Sequence, residues 1–560
     1  MIKSLRKILP LLLVLSYGQT HSQSWLWGAQ GRGAFKANAG SIGIVSDNAG
    51  NAYISGSYTP TIIFDNDTLV ANTVEDQFLL VKYNANGKVK WARTSDNMSW
   101  GSGEAIDASA NIYISGFFAD SVRFGTHLLD SAGGTSAFIV KYDSAGNALW
   151  AAGSRDIGNS SNAYATAIAQ DKLRNSYITG YYTDSVYFEN TLIRTWLPQF
   201  QYGCFLAKYD VNGSLQWIKT MAGNQTDYNS EAYGYSVTTD AVGSVYVTGY
   251  IQDTVYAGPY RVIGNRNQGM FVAKYNSTGV LEWIRNSGLL SYFFNKSQGM
   301  SIITDGSKGV YVSGQYADTL VLGTDTLDDG NGFLVKYDTN GNLIWAKGIP
   351  DYSLSNGWQG SSLSADANNH IYMGCSGGKD SLVFGSLTIK TSGRFPAAVI
   401  KLDTSGIAVC GYSLYNGSES NIAVASDPSG VYTYLTGGLV DSIFCGPDTL
   451  LSPNSNVEPY LARWSACKTE EAIYEPASPA NNVLLFPNPN AGKFNIQLSK
   501  LDGKFMLEIY NVLGEKVYSS TLKPSALNEI SLSSQTSGMY LYRVIDEKGQ
   551  LQGEGKFIIE

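Results

Sequence analysis

The residues best suited to binding a ligand are aromatic rings and arginines that occur at irregular positions in long polar segments. Exposed aromatic rings with polar neighbours are suited to stacking on sugars or to gripping a protein partner. The alternative is that these side chains only pack against their own segments. The expected ligand-binding residues are Trp100, Arg194, Trp196, Tyr228, Arg261, Arg266, Tyr292, Phe293, Phe294 and Trp358.

Catalytic chemistry has weaker support. An enzyme that cleaves polysaccharides needs two carboxylates facing each other across a cleft, and the spacing of the available ones brings no two together. His127 and His370 lie near no nucleophile motif, so a histidine triad or a zinc site is hard to build. The sequence favours a protein that is not an enzyme and needs no cofactor or metal. The carboxylates considered are Asp156, Asp227, Glu231 and Asp351.

The N-terminus has the pattern of an export signal. Three basic residues precede the apolar run 8–15, and small polar residues follow, which predicts a signal peptide over residues 1–22. The run is too short to span a bilayer, so no transmembrane segment is expected. Removing the basic residues makes the formal net charge of -8 more negative, which disfavours nucleic acid as a partner.

The composition indicates an all-β extracellular protein. Charged residues make up 15% of the chain, whereas Gly (60) and Tyr (37) are abundant, which favours turns and strands. The five cysteines allow one or two disulfides, and their pairing is left open. No CxxC spacing occurs, so buried apolar packing is favoured over a metal or redox site. The cysteines are Cys204, Cys375, Cys410, Cys445 and Cys467.

A Tyr-x-x-Gly motif recurs every 60 to 69 residues. Six copies keep the glycine, and the copy at Tyr372 ends in Cys375 instead. Seven consecutive units of similar length predict seven structural repeats. The tyrosines are Tyr53, Tyr113, Tyr177, Tyr246, Tyr311, Tyr372 and Tyr434.

Each unit also carries an apolar strand that ends in Lys-Tyr or a variant, an Asx-x-x-Gly turn and, in the first five units, a strand with Trp. The seventh unit lacks the tryptophan strand, whereas an unpartnered copy, Trp25–Ala29, stands near the N-terminus. We expect this N-terminal strand to complete the last repeat. The predicted fold is a seven-bladed β-propeller over residues 23–467, because closing the ring removes exposed sheet edges. The tryptophans and tyrosines are interpreted as packing between blades.

A second recurring motif is Asp followed by Ser or Thr and an aliphatic residue. Its recurrence favours a structural role, as an Asx turn that leads into a short strand. The tripeptide also resembles the O-glycosylation acceptor of Bacteroidetes surface proteins, which makes glycosylation a second hypothesis. The hydroxyl residues are Ser121, Ser185, Thr254, Thr319, Ser381 and Ser442.

Across residues 25–467 the motifs resemble the β-propeller repeats known as the SBBP type. The resemblance implies a scaffold found in extracellular and surface proteins, and it implies no activity.

The repeat pattern stops after Cys467, and the polar segment 468–482 is typical of a linker. Short strands alternating with turns over residues 483–560 predict a small Ig-like β-sandwich. The motifs Phe486–Pro489, Ile509–Gly514 and Gly538–Val544 resemble the type A C-terminal sorting domain of the type IX secretion system. This resemblance implies a Bacteroidetes-like host, the secretion machinery as a partner of residues 483–560, and a secreted or outer-membrane-surface location.

Three functions remain open at this point. The leading one is a surface binding or adhesion module that holds a glycan or a protein on its loop-rich face. The second is a polysaccharide-acting enzyme that uses loop carboxylates. The third is a structural surface component without a ligand.

Overall fold

The fold is described from a computed structural model of the 560-residue chain. Two compact units, residues 1–468 and 469–560, are described separately. The structure describes residues 25–35, 43–65, 67–71, 75–158, 161–197, 201–224, 229–264, 266–288, 296–306, 308–328, 330–350, 359–377, 381–391, 396–445, 448–452, 457–465, 483–486, 490–498, 503–511, 514–524, 527–547 and 551–559.

Strands are the regular secondary structure in the described part of the chain, which contains no helix. The first strands are β1 (Trp25–Gln30), β2 (Arg32–Phe35), β3 (Gly43–Ser46), β4 (Ala52–Phe64), β5 (Asp67–Val70), β6 (Gln77–Tyr83), β7 (Val89–Ile106), β8 (Ile112–Phe124), β9 (His127–Tyr142), β10 (Ala148–Asp156), β11 (Asn162–Gln170), β12 (Ser176–Thr183), β13 (Ser185–Phe188), β14 (Thr191–Arg194), β15 (Gly203–Tyr209), β16 (Leu215–Ala222), β17 (Glu231–Thr239), β18 (Val245–Gln252), β19 (Thr254–Ala257), β20 (Tyr260–Ile263), β21 (Gly269–Tyr275) and β22 (Leu281–Asn286). The remaining strands of this unit are β23 (Ser297–Thr304), β24 (Gly309–Tyr316), β25 (Leu320–Leu322), β26 (Asp325–Leu327), β27 (Gly330–Asp338), β28 (Leu343–Pro350), β29 (Gln359–Ala365), β30 (Ile371–Ser376), β31 (Ser381–Phe384), β32 (Leu387–Lys390), β33 (Ala397–Leu402), β34 (Ala408–Ser413), β35 (Tyr415–Ser426), β36 (Tyr432–Cys445), β37 (Asp448–Ser452) and β38 (Glu458–Ser465).

Each sequence repeat forms four neighbouring antiparallel strands, with the Tyr-x-x-Gly motif on the second strand. β7 is long, so its first half ends one such group and its second half, residues 99–106, begins the next. We number the groups sheets 1 to 7 and call their opening strand the first strand. In order they are β3-β4-β6-β7, β7-β8-β9-β10, β11-β12-β15-β16, β17-β18-β21-β22, β23-β24-β27-β28, β29-β30-β33-β34 and β35-β36-β38-β1.

The N-terminal strand lies in the last sheet, as predicted. β1 pairs antiparallel with β38, and Trp25 is opposite Trp464. Trp25 is 3% exposed and donates its indole N–H to the carbonyl of Ser413 at 3.1 Å. The first strands contact one another in chain order from β3 to β35, and β35 contacts β3. The Ser46 hydroxyl donates to the Ser426 carbonyl at 3.1 Å, so sheets 7 and 1 lie side by side.

The repeated tryptophans pack between sheets, which confirms their interpretation as structural residues. The Trp150 indole donates to the Val211 carbonyl at 3.1 Å, in the turn of the next sheet. A Cβ at Gly213 would lie 2.7 Å from this ring, and the backbone there is left-handed (φ +83°), so glycine is required twice over. Trp27 makes the same bond from sheet 7 to Ala85 of sheet 1, at 3.2 Å.

The motif tyrosines are tied to the turn that follows each first strand. The Tyr177 hydroxyl donates to Asp171 at 3.0 Å, and the Lys208 ammonium lies 5.3 Å from the centre of the Tyr177 ring. Burial and the Asp171 carboxylate raise the pKa of Tyr177. The same Asp–Tyr bond forms in sheets 1 to 6, so these acidic turns hold the motif tyrosines in place.

The Asp-Ser/Thr motif begins a small hairpin between the second and third strands. β13 and β14 form such a hairpin, and β13 also pairs with β10, the last strand of sheet 2. The hairpin therefore covers the open edge of the preceding sheet. Asp184 has a left-handed φ of 59°, a conformation that Asp tolerates better than most residues. Asp120, Asp253 and Asp318 share it.

The second unit contains two sheets around one core. The core holds residues of both, including Phe494, Ile496, Leu507 and Tyr542. β39-β40-β43 form one sheet and β42-β41-β44-β45 the other. These strands are β39 (Val483–Phe486), β40 (Lys493–Leu498), β41 (Phe505–Asn511), β42 (Lys516–Leu522), β43 (Leu527–Ser531), β44 (Gly538–Asp546) and β45 (Leu551–Ile559).

The cysteines follow the expected pattern only in part. Cys204, Cys375 and Cys445 are buried, as small apolar residues would be. Cys410 is disulfide-bonded. Cys467 lies outside the described residues.

Candidate functional site

A cavity of about 1370 Å³ lies between the first strands of the seven sheets. Every first strand contributes to its wall, from Ser46 on β3 to Val424 on β35. One end of the cavity lies near the Asp turns, and the other lies where the first strands begin. We call this second end the mouth.

A β-bulge recurs near the mouth in six of the first strands. In sheet 3, for example, Ala165 and Ala167 pair with consecutive residues, and Thr166 is the extra residue between them. Bulges redirect side chains and occur beside binding sites. The bulged residues on the cavity wall are Ser102, Thr166, Tyr235, Met300 and Ser361.

Six aromatic rings form a continuous series at the mouth, which we call the aromatic arc. Five of them line the cavity, and the sixth, Tyr250, is 4% exposed and does not. They belong to three cross-strand pairs with centroid distances of 4.7, 4.8 and 4.7 Å. Contacts of 4.9 Å and 4.4 Å join neighbouring pairs across the sheets. The pairs are Trp100 with Phe117 in sheet 2, Tyr164 with Tyr181 in sheet 3, and Tyr233 with Tyr250 in sheet 4.

The same register positions hold polar residues in sheets 5 and 6. Gln298 is opposite Gln315 in sheet 5, and its amide N–H donates to Gln268 at 2.6 Å. Gln315 in turn donates to Gln298 at 2.9 Å. In sheet 6 the equivalent pair is Gln359 and Ser376, and the Ser376 hydroxyl lies 3.0 Å from that of the bulged Ser361. We call Gln298, Gln315, Ser361 and Ser376 the amide side of the mouth.

The arc offers hydroxyl groups as well as rings. Tyr250 donates to the Glu231 carboxylate at 3.1 Å, and the Trp100 indole donates to Asp76 at 3.2 Å. No hydrogen bond joins the Tyr181 and Tyr235 hydroxyls to other residues that the structure describes. Burial raises the pKa of Tyr181, and it raises that of Tyr235 to about 12, so both phenols remain protonated donors at neutral pH.

Glu104 is the one carboxylic acid among the described residues of the cavity wall. Its carboxyl oxygens are buried between sheets 1 and 2 and have no well-formed hydrogen bond there. Burial raises the pKa of Glu104 to about 8, and the nearby Ser55 hydroxyl opposes this shift. Since the described wall contains no Lys or Arg, it is close to neutral at pH 7.

The residues expected to bind a ligand lie in different parts of the structure. Trp100 belongs to the arc. The Arg194 guanidinium stacks on Trp196 at 4.9 Å just after β13–β14, where Trp196 is 47% exposed. Arg261 on β20 and Arg266 beyond it are exposed and do not line the cavity. Tyr228, Tyr292, Phe293, Phe294 and Trp358 lie outside the described residues.

The carboxylates considered for catalysis are also dispersed. Asp156 is buried and accepts bonds from Ser131 and from the backbone of Ala132 and Gly134, so it holds a loop together. Burial raises the pKa of Glu231, and its bond from Tyr250 opposes this. Asp227 and Asp351 lie outside the described residues.

The six hydroxyl residues of the Asp-Ser/Thr motif are half-buried, each at the start of a hairpin strand or beside it. The hairpins show the structural role of the motif, and glycosylation stays a prediction.

Of the arc residues, only Trp100 was expected from the sequence to bind a ligand. The repeats nevertheless contain a pattern that indicates the others. The residue after the motif glycine is aromatic in sheets 2 to 4, where it is Phe117, Tyr181 or Tyr250. Elsewhere the equivalent residues are Ser57, Gln315, Ser376 and Gly438. Aligning the units on this position would have located the arc.

Within the described ranges, no group of three or more His, Cys, Asp or Glu residues is placed to hold a metal ion. The same ranges contain no helix long and apolar enough to cross a membrane.

Residues 484–560 match the secretion system C-terminal sorting domain family. The uncharacterized WD repeat-containing protein L264 of Acanthamoeba polyphaga mimivirus is 26% identical over 356 residues, which cover 50% of this chain and 25% of that protein. The chain thus spans about a quarter of the length of this relative.

Two solved structures resemble the chain at low TM-scores. One is regucalcin from Agrobacterium tumefaciens, a calcium-binding protein, with 12% identity, a TM-score of 0.29, and coverage of 66% of this chain and 91% of regucalcin. The other is PorZ, an essential surface component of the type IX secretion system of Porphyromonas gingivalis, with 9% identity, a TM-score of 0.16, and coverage of 94% and 100%.

The chain is thus an all-β protein with a propeller-like fold and a C-terminal sorting domain. The sorting domain indicates secretion through the type IX system to the cell surface or the exterior, and it implies contact with the secretion machinery.

Proposed function

We propose that the protein is an exported, cell-surface binding module that holds its ligand at the mouth of a central cavity. Its scaffold is a closed seven-bladed β-propeller of the SBBP type over residues 23–467. Residues 1–22 are a cleaved signal peptide, 468–482 a linker, and 483–560 an Ig-like sorting domain. The protein acts as a binder and not as an enzyme.

Three features of the seventh sheet support a closed ring. β1 completes it through β38, and Trp27 reaches Ala85 of sheet 1 in the way that Trp150 reaches the sheet after its own. β2 also pairs with β4, so the N-terminal segment meets the hairpin of sheet 1 just as β10 meets that of sheet 3. The junction between the last and first sheets therefore repeats the junctions within the chain.

The aromatic arc carries the proposal of binding. The sheets share their turns and their motif tyrosines, and all but sheet 6 carry a packing tryptophan. Among the described residues, however, only sheets 2 to 4 have cross-strand aromatic pairs at the mouth. Folding alone does not demand this difference, because sheets 5 and 6 fold with glutamine and serine at the same positions. Aromatic side chains grouped at one place are typical of binding surfaces.

The experiment compares variants of the mature full-length chain for binding to surface extracts and to glycan arrays. Tyr181→Ala combined with Tyr233→Ala removes the centre of the arc and should abolish binding. Trp196→Ala tests the exposed hairpin pair instead, and Tyr260→Ala, an exposed ring on β20, is the control. Binding that survives in the double variant but is lost with Trp196→Ala would place the site on the hairpins and refute the proposal.

A further inference from the structure

The chemistry of the mouth narrows the class of ligand, and this step rests on the proposed function. We infer that the ligand is an uncharged oligosaccharide, bound across the mouth between the aromatic arc and the amide side.

The first support is the absence of charge from the described wall. Anionic polysaccharides and nucleic acids are held by Lys and Arg, and neither residue type occurs among the described residues that line the cavity. Glu104 has its oxygens buried away from the cavity space, so it offers no exposed carboxylate to a cationic ligand. The wall has polar groups but no exposed charge, and polar groups covered by a ligand need hydrogen-bond partners. A neutral polar ligand therefore suits this wall best.

The second support is the separation of hydrogen-bond donors from acceptors. The Tyr181 hydroxyl on the arc and the hydroxyl of the bulged Tyr235 beside it are donors, and no described residue accepts from them. Across the mouth, Gln315 uses its amide N–H on Gln298, which leaves its carbonyl oxygen as an acceptor on the wall. Sugar hydroxyls both donate and accept, so an oligosaccharide can form hydrogen bonds with both sides.

The third support is the shape of the site. The rings lie on the inner strands, and a cavity of about 1370 Å³ continues beneath them. A narrow chain of sugars can enter the mouth and place its apolar C–H surface against the aromatic side chains.

Isothermal titration calorimetry on the mature full-length chain tests the inference. The uncharged probes are malto-, cello-, xylo- and manno-oligosaccharides, the acidic probe is oligogalacturonate, and a surface-protein extract is the third class. At least one uncharged probe should bind, whereas oligogalacturonate should not.

The variants of the site keep all aromatic rings at the mouth and change only its hydrogen-bonding groups. Tyr181→Phe combined with Tyr235→Phe deletes two hydroxyls and should weaken binding by roughly tenfold. Gln315→Met removes the acceptor at similar length and should weaken it by roughly fivefold. Tyr260→Ala should bind as the unmodified chain does.

The outcomes separate this inference from the proposed function. If only oligogalacturonate or an extracted protein binds, and the Tyr181→Ala and Tyr233→Ala variant loses that binding, the ligand class is wrong and the binding site stands. If an uncharged probe binds equally well to the double alanine variant, the site itself is wrong. If no probe and no extract binds, both are refuted.

Discussion

The two ends of the cavity differ in how far the repeats agree. Near the Asp turns, sheets 1 to 6 share a turn aspartate that accepts from the motif tyrosine. At the mouth, Phe117 of sheet 2 and Tyr181 of sheet 3 occupy the position that Gln315 holds in sheet 5 and Ser376 in sheet 6. Residues that every sheet needs for packing repeat, and residues that serve one ligand need not. The comparison thus assigns stability to the turn end, and it agrees with the proposal that binding takes place at the mouth.

A large loss of stability at fixed pH is expected when a repeated tryptophan is replaced. Trp217 donates its indole N–H to Ser277 at 3.3 Å and packs against Gly279 of the next sheet. Trp217→Ala should lower the free energy of unfolding by about 3 kcal/mol, because a packed ring is lost. Chemical denaturation followed by far-ultraviolet circular dichroism measures the change.

The matched control is Trp196→Ala, which removes a largely exposed tryptophan and should change stability by less than about 0.5 kcal/mol. Equal costs at the two positions would contradict the assignment of stability to packing between sheets. Binding by the folded Trp217→Ala protein should stay close to that of the unmodified chain.

The second prediction concerns Glu104, on the cavity wall between the two ends. Its pKa is about 8 in the folded protein and lower in the unfolded chain, so the folded state holds the proton more tightly between about pH 4.5 and pH 8. The stabilisation that protonated Glu104 contributes to the folded state is complete below about pH 4.5. It is lost as the pH rises towards about 8. The slope reaches at most about 1.4 kcal/mol per pH unit.

Glu104→Gln should remove this slope and leave the variant more stable than the unmodified chain above pH 8. Urea midpoints measured across the pH range test this, with the exposed Asp67→Asn on β5 as control. Parallel pH profiles for the unmodified chain and Glu104→Gln would show that the carboxyl group is solvated.

The features that recur from sheet to sheet could be predicted from the sequence. Each unit specifies the same strands, and Trp25–Ala29 supplies the strand that the seventh unit lacks, so the pairing of β1 with β38 was predictable. The motif tyrosines and the tryptophans were also assigned to packing, and the structure places them there.

The mouth was harder to predict for a physical reason. Tyr164 and Tyr233 alternate with small residues along their strands, as packed residues do, so their spacing does not distinguish a wall position from a core position. Their proximity arises only when sheets 3 and 4 lie side by side and the bulges turn the strands. Long segments drew attention to Trp196 and Arg194, which the structure places at the outer hairpins.

The third prediction tests whether equivalent turn residues contribute equally to the free energy of unfolding. Asp107 and Asp171 each accept bonds from two backbone N–H groups, an asparagine amide and the motif tyrosine. Asp107→Asn and Asp171→Asn should each cost about 1 to 2 kcal/mol, because the amide nitrogen opposes two donors.

The two costs should agree within about 0.5 kcal/mol, whereas Tyr181→Ser and Gln315→Ser at equivalent mouth positions should differ in their effect on binding. Urea denaturation and calorimetry provide the two measurements. Unequal costs at the two aspartates would mean that the repeats are not energetically equivalent, and the contrast between the two ends would lose its basis.

The smallest effect on stability is expected from glycosylation of the repeated Asp-Ser/Thr motif. Ser121, Ser185 and Thr254 are half-buried at the hairpins, and their aspartates already have a structural role. If the motif is also an acceptor, the intact mass of protein from the native host should exceed that of the bare polypeptide in equal increments. Ser185→Ala should remove one increment and leave the thermal midpoint unchanged within about 1 °C, since the hairpin is set by the backbone of Asp184. A native mass equal to that of the unmodified polypeptide would leave the motif with its structural role alone, and the repeated features named above would then all serve the fold.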